Sequence, residues 1–373
     1  MLFEIKVRDG NARIGILKTK SGSVETPFFM PVATKAAAKY INSKNLEELG
    51  AKAVISNAFI LSIRPGVSVV KKLGGIKKFM NFSGINITDS GGFQMYSKEL
   101  YLKSGNKGVY FKNPVSGEKI FMTPEKNMKI QSDVGADIAM CLDRMPLYED
   151  SKKEIEKAVE LTTNWAERCK KEHNKLQKKI PFEKRQLLFG ITQGGIYSDL
   201  RKKSAEEISA LNFDGYAIGG FGMGETFKEE MKIVRQQKQI LPKDKPVYLM
   251  GIGSPVEILG AISLGCDIFD SRMPTQNGRR GTLFTSKGKL KILNKKYTKD
   301  KNPIDKNCKC FVCKNYSRAY IRHLLREDEA VGKELASYHN LYYLQDLIKN
   351  AKDAIKKKKL DKIRNKIKKI YSN

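Results

Sequence analysis

Residues 246–270, PVYLMGIGSPVEILGAISLGCDIFD, contain the alternation that decides the fold. A short apolar run stands at each end, and the segment between the two runs has the marks of a helix. Ser254 is placed as the N-cap of that helix, Pro255 occupies its first position, and Gly265 follows its end. Near-continuous apolar runs are typical of parallel strands that are covered on both faces. The stretch therefore predicts a strand, a helix and a second strand parallel to the first.

The same alternation recurs along most of the chain. The best further helix candidate is 152–176, where Ser151 and Glu154 have the spacing of a capping box. In a chain of 373 residues, repeated strand–helix units predict an α/β protein with a closed (β/α)₈ TIM barrel. An open, doubly wound sheet is the alternative, although no G-x-G-x-x-G lies between a first strand and helix. The other apolar runs are AKAVISNA (51–58), INITDSGG (85–92), ADIAMCLD (136–143), LLFGITQGG (187–195) and GYAIGG (215–220).

Polar groups stand where several of these apolar runs end. The C-terminal ends of all strands in such a barrel converge on one mouth, where catalytic groups collect. Any single residue of this kind could instead cap a helix or bond a loop. Three carboxylates and an amide that face one cavity nevertheless favour an active site. The carboxylates are Asp89, Asp143 and Asp270, the amide is Gln193, and Gly220 closes a further run.

The chain is strongly basic, with 70 Lys and Arg against 40 Asp and Glu and a formal net charge of +30. A lysine-rich composition would produce such a charge without any function. A polyanionic partner, most simply nucleic acid, is the other interpretation, because binding phosphates releases counterions. Charge alone does not separate nucleic acid from an anionic membrane. No apolar stretch approaches the ~20 residues that span a bilayer, and the N-terminus lacks the layout of a signal peptide.

Three of the six cysteines are crowded into NCKCFVCKN, as Cys308, Cys310 and Cys313. A disulfide framework is therefore not expected, and the chain is predicted to be cytoplasmic. Three thiolates and one imidazole would fill a closed, structural zinc site, with one Zn²⁺ per chain. An iron–sulfur cluster and a redox thiol group are the alternatives. Spacing leaves the fourth ligand open between His339 and the nearer His323.

The remaining C-terminal features complete the expected organisation. Residues 1–300 are predicted to form the catalytic barrel, and 301–373 a zinc-binding subdomain with basic C-terminal helices. The tail, 353–373, has Ile and Leu at roughly helical spacing among lysines. It is interpreted as an amphipathic helix packed on the zinc region, or as a contact surface for phosphates. His173 lies in a lysine-rich segment and is expected to be solvated.

Taken in order, the motifs resemble those of the bacterial tRNA-guanine transglycosylase family, also called queuine tRNA-ribosyltransferase. The similarity runs from about residue 3 to beyond His339. The family fold is a (β/α)₈ barrel with a zinc-binding subdomain, and the resemblance implies His339 as the fourth metal ligand. The motifs that precede the cysteine cluster are TDSGGFQ (88–94), TPEKNMKIQSDVGADI (123–138), FGITQGG (189–195), GYAIGGFGMGE (215–225), YLMGIG (248–253) and FDSRMPTQNGRRG (269–281).

The resemblance implies exchange of guanine for a free 7-deazaguanine base at the wobble position of tRNAs with G-U-N anticodons. Asp270 would be the nucleophile at ribose C1′, and Asp89 the general acid and base, in a covalent double displacement. Asp143 would bind the guanine N1–H and amino group, while Gln193 and the backbone of Gly220 would hold the carbonyl side. Asn57 would orient the ribose and Asp89. Phe93 and Met250 would lie on the two faces of the base. The other substrate-binding residues implied are Ser90, Gly91, Gly92 and Phe221.

The resemblance implies that two loops bind the tRNA anticodon loop. It also implies a homodimer, the form in which the family acts. The implied RNA-binding residues are Gly251, Ile252, Gly253, Ser254, Pro255, Val256, Glu257, Thr275, Gln276, Asn277, Gly278 and Arg279.

The chain departs from the family pattern near the incoming base and the RNA. The interpretation is that guanine recognition and chemistry persist while the preferred incoming base differs, with preQ1 as the default and salvage of queuine as a second option. A non-catalytic tRNA-binding subunit of the same fold is one alternative, against which the retention of Asp89 and Asp270 argues. A barrel glycosidase acting on sugars is another, although Trp165 is the only tryptophan. The departures are Phe59 and Ile60, Arg144 and Met145, Phe221 to Met223, and Gln276, with Arg272 and Arg280 as additional cations.

Overall fold

Parallel strands form the centre of the computed structural model, which describes residues 2–95, 97, 99–222 and 224–371. The strands are β1 (Phe3–Asp9), β2 (Ala12–Thr19), β3 (Gly22–Thr26), β4 (Phe28–Pro31), β5 (Ala53–Asn57), β6 (Ile85–Asp89), β7 (Tyr101–Gly105), β8 (Gly108–Lys112), β9 (Lys119–Met122), β10 (Ile138–Met140), β11 (Leu187–Thr192), β12 (Gly215–Ile218), β13 (Val247–Leu249), β14 (Ile268–Ser271), β15 (Thr282–Thr285) and β16 (Gly288–Lys291).

Eight of these strands, all parallel, pair in the order β4-β14-β13-β12-β11-β10-β6-β5. The two end strands also meet, because the Ala33 amide donates to the Ile55 carbonyl over 2.7 Å and Val32 forms a parallel bridge with Ile55. The sheet therefore closes into the predicted (β/α)₈ barrel. The open, doubly wound alternative is wrong.

Helices surround this barrel and connect its strands. Both predicted helices are confirmed, with capping boxes at Ser151–Glu154 and Ser254–Glu257. The helices are α1 (Ser43–Glu48), α2 (Ala58–Leu61), α3 (Val67–Lys72), α4 (Ile76–Met80), α5 (Gly92–Met95), α6 (Pro124–Val134), α7 (Lys152–Gln177), α8 (Ser198–Ala210), α9 (Phe227–Ile240), α10 (Pro255–Ser263), α11 (Met273–Arg279), α12 (Phe311–Asn315), α13 (Arg318–Arg326), α14 (Ala330–Lys356) and α15 (Leu360–Tyr371), with a π-helix at Ser62–Gly66 and 3₁₀ turns at Phe182–Lys184 and Lys295–Tyr297. Within the described chain, no helix combines the length and the apolar character that crossing a bilayer requires.

The antiparallel sheet β1-β2-β3 closes the end of the barrel at which the strands begin. Its Phe3, Leu17 and Val24 pack in one apolar cluster with the residues inside the barrel. Arg13 of β2 forms a buried ion pair of 2.6 Å with Asp267, the residue before β14. A second antiparallel sheet, β7-β8-β9, is inserted between β6 and α6. The opposite end, where the strands finish, is therefore the open mouth.

The long helix α14 packs on the barrel as well as on the C-terminal region. The Gln345 amide donates to the carbonyl of Phe29 in β4 over 3.0 Å. On its other flank α14 contacts α11, α12 and α13. The tail helix α15 also packs in, since Tyr371 donates to the Thr285 carbonyl over 2.9 Å. This contact places the tail on the hairpin β15–β16, beside the cysteine-containing region.

One histidine expectation is wrong. His173 is only 5% exposed, on the inner face of α7. Burial lowers the pKa of His173 to about 4, so that the imidazole is neutral in the folded protein. The lysines around it in the sequence occupy other faces of the helix, because side chains turn by about 100° per residue. Local composition is therefore a poor guide to the burial of a single helical residue.

Candidate active site and metal centre

The polar residues at the strand ends come together at the mouth of the barrel. Asn57 and Asp89 are the last residues of β5 and β6 and pair directly across them. Asp270 lies within β14, and Gln193 directly follows β11. Asp143 lies three residues beyond β10. The parallel arrangement brings these groups, which are far apart in sequence, to one end of the barrel, where the charges of Asp143 and Asp270 act on Asp89.

Asp270 is held by two donors on one of its oxygens. The Tyr248 hydroxyl donates to Asp270 Oδ1 over 2.5 Å, and the Gly251 amide donates to the same atom over 2.9 Å. Among the residues that the structure describes, none donates to Oδ2. Burial raises the pKa of Asp270, while the two donors oppose that change by stabilising the anion. The carboxylate is thus fixed in orientation, with one oxygen left available for a reacting atom.

Asp89 has the most strongly perturbed of the three carboxyl groups. Burial and the nearby charges of Asp143 and Asp270 raise its pKa to about 7, in spite of backbone donors from Ser90 and Gly91. The Asn57 amide donates to Asp89 Oδ2 over 3.2 Å and to Gln94 Oε1 over 2.7 Å. Its own oxygen accepts from the Ile60 amide and so caps α2. A carboxyl group with a pKa near neutrality can both donate and accept a proton at physiological pH.

Asp143 and Gln193 form a hydrogen-bonded pair. The Gln193 amide nitrogen donates to Asp143 Oδ2 over 2.7 Å, and both side chains are buried. Burial raises the pKa of Asp143 to about 6, while the donors Gln193 and Ser90 act in the opposite direction. Gln193 Oε1 has no partner among the described residues. An acceptor beside an amide donor complements a ring that presents N–H beside C=O.

Glycines allow the walls of this cavity to approach closely. A β-carbon on Gly92 would lie 2.5 Å from Asp143 Oδ1, and one on Gly91 would lie 2.3 Å from the β-carbon of Phe59. A β-carbon on Gly220 would lie 2.8 Å from Gln193 Oε1. These three positions therefore exclude larger residues for steric reasons.

Two further residues expected around the substrate, Met250 and Phe221, follow the neighbouring strands β13 and β12. Met250 follows β13 directly and packs against the apolar interior of the barrel. Phe221 is 8% exposed and lies beneath the Arg201 guanidinium, whose carbon is 4.7 Å from the ring centroid. Phe93 belongs to α5, but its side chain is not described. Met223 lies outside the described residues.

Three participants were not predicted from the sequence. Tyr248 and Gln94 contact Asp270 and Asn57, as described above. Arg201, fully buried on α8, donates to the carbonyls of Gly195 and Gly219 over 2.7 and 2.9 Å and so joins the loops that follow β11 and β12. Tyr248 belongs to the YLMGIG motif, and in β13 its side chain packs with the residues inside the barrel. Gln94 likewise belongs to the TDSGGFQ motif, whereas Arg201 lies in none of these motifs.

The two loops expected to contact RNA differ in accessibility. In the first, Gly251 is exposed, whereas Ile252, Gly253 and Pro255 are buried, and Ser254 and Glu257 form the capping box of α10. In the second, Thr275 and Gly278 are buried against α14, and the partly exposed positions are Gln276, Asn277 and Arg279. Val256 is also partly exposed.

An exposed aromatic ring stands beside the second loop. Tyr40 is 37% exposed, and three cations lie over its ring. The Arg279 guanidinium carbon is 6.0 Å from the ring centroid, and the amino groups of Lys333 and Lys39 are 5.9 and 5.2 Å from it. An accessible aromatic face among cations is a surface on which a nucleotide base can stack.

The expected metal ligands form one cluster. The ligand atoms of Cys308, Cys310, Cys313 and His339 all lie within 4.8 Å of one another. The three sulfurs are 3.8, 3.5 and 3.4 Å from His339 Nδ1. His323 is exposed on α13 and takes no part. The group could hold a metal ion.

Both nitrogens of His339 have defined roles. Nε2 is 2.7 Å from the carbonyl oxygen of Phe284 in β15. A proton on Nε2 donates to that carbonyl, which leaves the lone pair of Nδ1 directed at the thiols. This outer contact explains why an imidazole from a helix distant in sequence is presented in the correct orientation.

The metal cluster is joined to the second loop through α14. Asn340, next to His339, donates to the carbonyls of Pro274 and Thr282 over 2.9 and 3.0 Å. A β-carbon on Gly278 would lie 2.7 Å from the Ala336 carbonyl oxygen. Because α11 begins three residues after Asp270, the cluster supports a helix that directly follows β14.

Known proteins match the chain over almost its full length. The family model described as queuine tRNA-ribosyltransferase matches residues 9–373. A queuine tRNA-ribosyltransferase of Bacillus licheniformis is 46% identical over 353 residues, which are 95% of this chain and 91% of the relative. One of Lysinibacillus sphaericus is 45% identical with the same coverage, and one of Fusobacterium nucleatum is 43% identical over 366 residues, 98% of this chain and 96% of the relative.

Proposed function

The chain belongs to the queuine tRNA-ribosyltransferase family, and on that premise we propose which reaction its site performs and with which residues. It is a tRNA-guanine transglycosylase, a pentosyltransferase of queuosine modification. We propose that it exchanges guanine at the wobble position of G-U-N anticodons for a free 7-deazaguanine base. The non-catalytic subunit is disfavoured because the carboxylates that the chemistry requires lie together in one cavity.

Asp270 is the proposed nucleophile. Loss of the base develops positive charge on the ribose, which a nearby carboxylate stabilises and then captures at C1′. Oδ2 would form this bond, since Oδ1 already accepts two hydrogen bonds. The incoming base then displaces the carboxylate from the vacated side, and two inversions retain the configuration at C1′.

Asp89 is the proposed proton donor and acceptor. In its neutral form it gives a proton to the leaving guanine, and as the resulting carboxylate it takes one from the incoming base. Its pKa of about 7 suits both duties. Asn57 would keep the carboxyl group directed into the cavity.

Base recognition is proposed to depend on the Asp143–Gln193 pair, and this pair is the strongest support for the proposed function. Asp143 accepts from the N1–H and amino group of guanine, and Gln193 donates to its C6 carbonyl. Adenine would present an acceptor at N1 and a donor at C6, the reverse pattern, and would be rejected. Gly220 would complete the carbonyl side, with Ser90, Gly91, Gly92, Phe93, Phe221 and Met250 around the ring.

The RNA would enter from the mouth, with its target base turned out of the anticodon loop. The proposed contacts are Gly251 to Glu257 and Thr275 to Arg279. Arg272 and Arg280 are exposed at the ends of the second loop, where they can bind phosphates despite Gln276. We also propose a homodimer and a cytoplasmic location, the latter because tRNA is the substrate and none of the six cysteines forms a disulfide.

The metal is proposed to be one structural Zn²⁺. Bonds of about 2.3 Å to sulfur and about 2.0 Å to nitrogen at a tetrahedral angle place the two ligand atoms roughly 3.5 Å apart. The observed separations of 3.4 to 3.8 Å fit that geometry. Four protein ligands leave no position for substrate, so that zinc would stabilise the fold around α14.

Exchange of labelled guanine tests the function and identifies the incoming base. Protein loaded with tRNA that carries labelled guanine at the wobble position should release the label when preQ1 is added. Release by queuine as well would establish salvage, whereas exclusive use of preQ1 would rule it out. Absence of release with every 7-deazaguanine would contradict the proposed function.

The pH profile should reflect the perturbed carboxyl groups. The raised pKa of Asp89 keeps its proton present up to about pH 7, so we expect kcat/KM to fall as the pH rises above that value. On the acid side, kcat/KM should rise as Asp270 ionises. The measurement is initial exchange rate against pH with an anticodon stem–loop, with RNA affinity determined separately at each pH. A rate that stays constant up to pH 9 would show that no proton on Asp89 is needed.

A further inference from the structure

The end of the barrel opposite the mouth contains a strongly basic cavity that the proposed reaction does not use. Its volume is about 560 Å³, which is within the range of small-molecule sites. Asn11 from the β1–β2 turn and Leu264 from the end of α10 line it, and both belong to the end where the strands begin. Its cationic lining residues are Arg8, Arg13, Arg235, Lys238, Lys243 and Arg364.

Internal pairing neutralises only part of this charge. Arg13 is bound by Asp267 over 2.6 Å, and Arg364 by Asp361 over 3.0 Å. No described residue forms an ion pair with Arg8, Arg235, Lys238 or Lys243. The oxygens of Asp267 accept from Arg13 and from the Val247 amide, so its charge offsets the desolvation of Lys238 only in part.

The dipoles of neighbouring helices do not account for the remaining charge. Helices α9 and α10 end near the cavity, and each helix end carries roughly half a negative charge. Two such ends offset about one of the four remaining cations. A lysine-rich composition does not explain the cavity either, since most of its cations are arginines although lysine far outnumbers arginine in the chain.

The cavity disfavours the charged form of Lys238. This lysine projects from the last turn of α9, and burial, followed by repulsion from Arg13, lowers its pKa to about 8. A bound anion would oppose this shift, because a nearby negative charge stabilises the ammonium form.

We propose that this cavity is a binding site for a small polyphosphate. Four cations without carboxylate partners match the four to five negative charges of tripolyphosphate at neutral pH. Leu264 is the only apolar residue of the lining and no aromatic ring contributes, so the site offers no platform for a nucleotide base. An RNA backbone is disfavoured because the proposed RNA loops lie at the mouth, at the other end of the barrel.

Calorimetric titration of the full-length protein with sodium tripolyphosphate at physiological ionic strength tests the proposal. We expect saturable binding at one site. Lys238→Met should weaken it at least tenfold, and Arg235→Gln, which removes an exposed cation at the rim, should weaken it several-fold without affecting packing. Lys232→Met is the matched control, since Lys232 is an exposed lysine of the same helix outside the cavity, and it should leave binding unchanged.

Three results would overturn the site. One is the absence of saturable binding at millimolar tripolyphosphate. Another is an equal loss in Lys232→Met, which would indicate diffuse attraction to a basic surface. The third is a rise in KM for an anticodon stem–loop in Lys238→Met as large as the loss of tripolyphosphate binding, which would assign the cavity to RNA. An unchanged KM would support a separate site.

Discussion

Asp270→Asn should abolish base exchange, with kcat lowered on the order of 10³-fold or more. An amide cannot form the ester with C1′, although its oxygen can still accept from Tyr248 and Gly251, so the fold should persist. The measurement is incorporation of a labelled 7-deazaguanine into tRNA, together with denaturing electrophoresis of the protein–tRNA adduct. The wild-type protein should give an adduct attached at Asp270, and the variant none.

Asp214→Asn is the matched control for this change. Asp214 precedes β12 at the other end of the barrel, where its carboxylate accepts from the Leu188 amide over 2.9 Å. Its replacement removes a largely buried carboxyl group without touching the mouth and should leave the rate within a few-fold of the wild type. Unchanged exchange in Asp270→Asn, or an adduct on another residue, would contradict the mechanism. The former result would favour the non-catalytic tRNA-binding subunit.

His339→Ala should have the second largest effect, and it should act on RNA binding. Loss of one metal ligand releases the cluster, and with it the part of α14 on which α11 packs. We expect loss of bound metal, a lower melting temperature and a KM for tRNA raised at least tenfold. The measurements are metal analysis of the purified protein, thermal unfolding and steady-state kinetics.

His323→Ala provides the control, because this histidine is exposed on α13, within the same C-terminal region. It should retain metal, melting temperature and KM. Full metal content in His339→Ala would show that the imidazole is not a ligand. Normal KM in a metal-free protein would show that the cluster does not support the RNA-binding helix.

The sequence predicted the barrel and the identity of the groups at its mouth. Buried parallel strands must be apolar throughout, and capping boxes depend on residues three apart, so both leave local patterns. The cysteine cluster is equally local. The boundary at residue 300 stays a prediction, as do the individual roles at the site. His173 was misassigned because one helical residue's burial depends on what packs against it.

Tertiary structure decided matters that no local pattern records. It shows that His323 is exposed while His339 reaches the thiols, which oxygen of Asp270 is left available, and why the pKa of Asp89 is near neutrality. It also joins the metal cluster to α11 and gathers the cations of the cavity at the end of the barrel opposite the mouth. The physical reason is the same in each case. Desolvation and charge–charge interactions depend on distances between segments, and closure of the barrel sets those distances. The strand–helix–strand pattern of 246–270, in contrast, can be recognised from those residues alone.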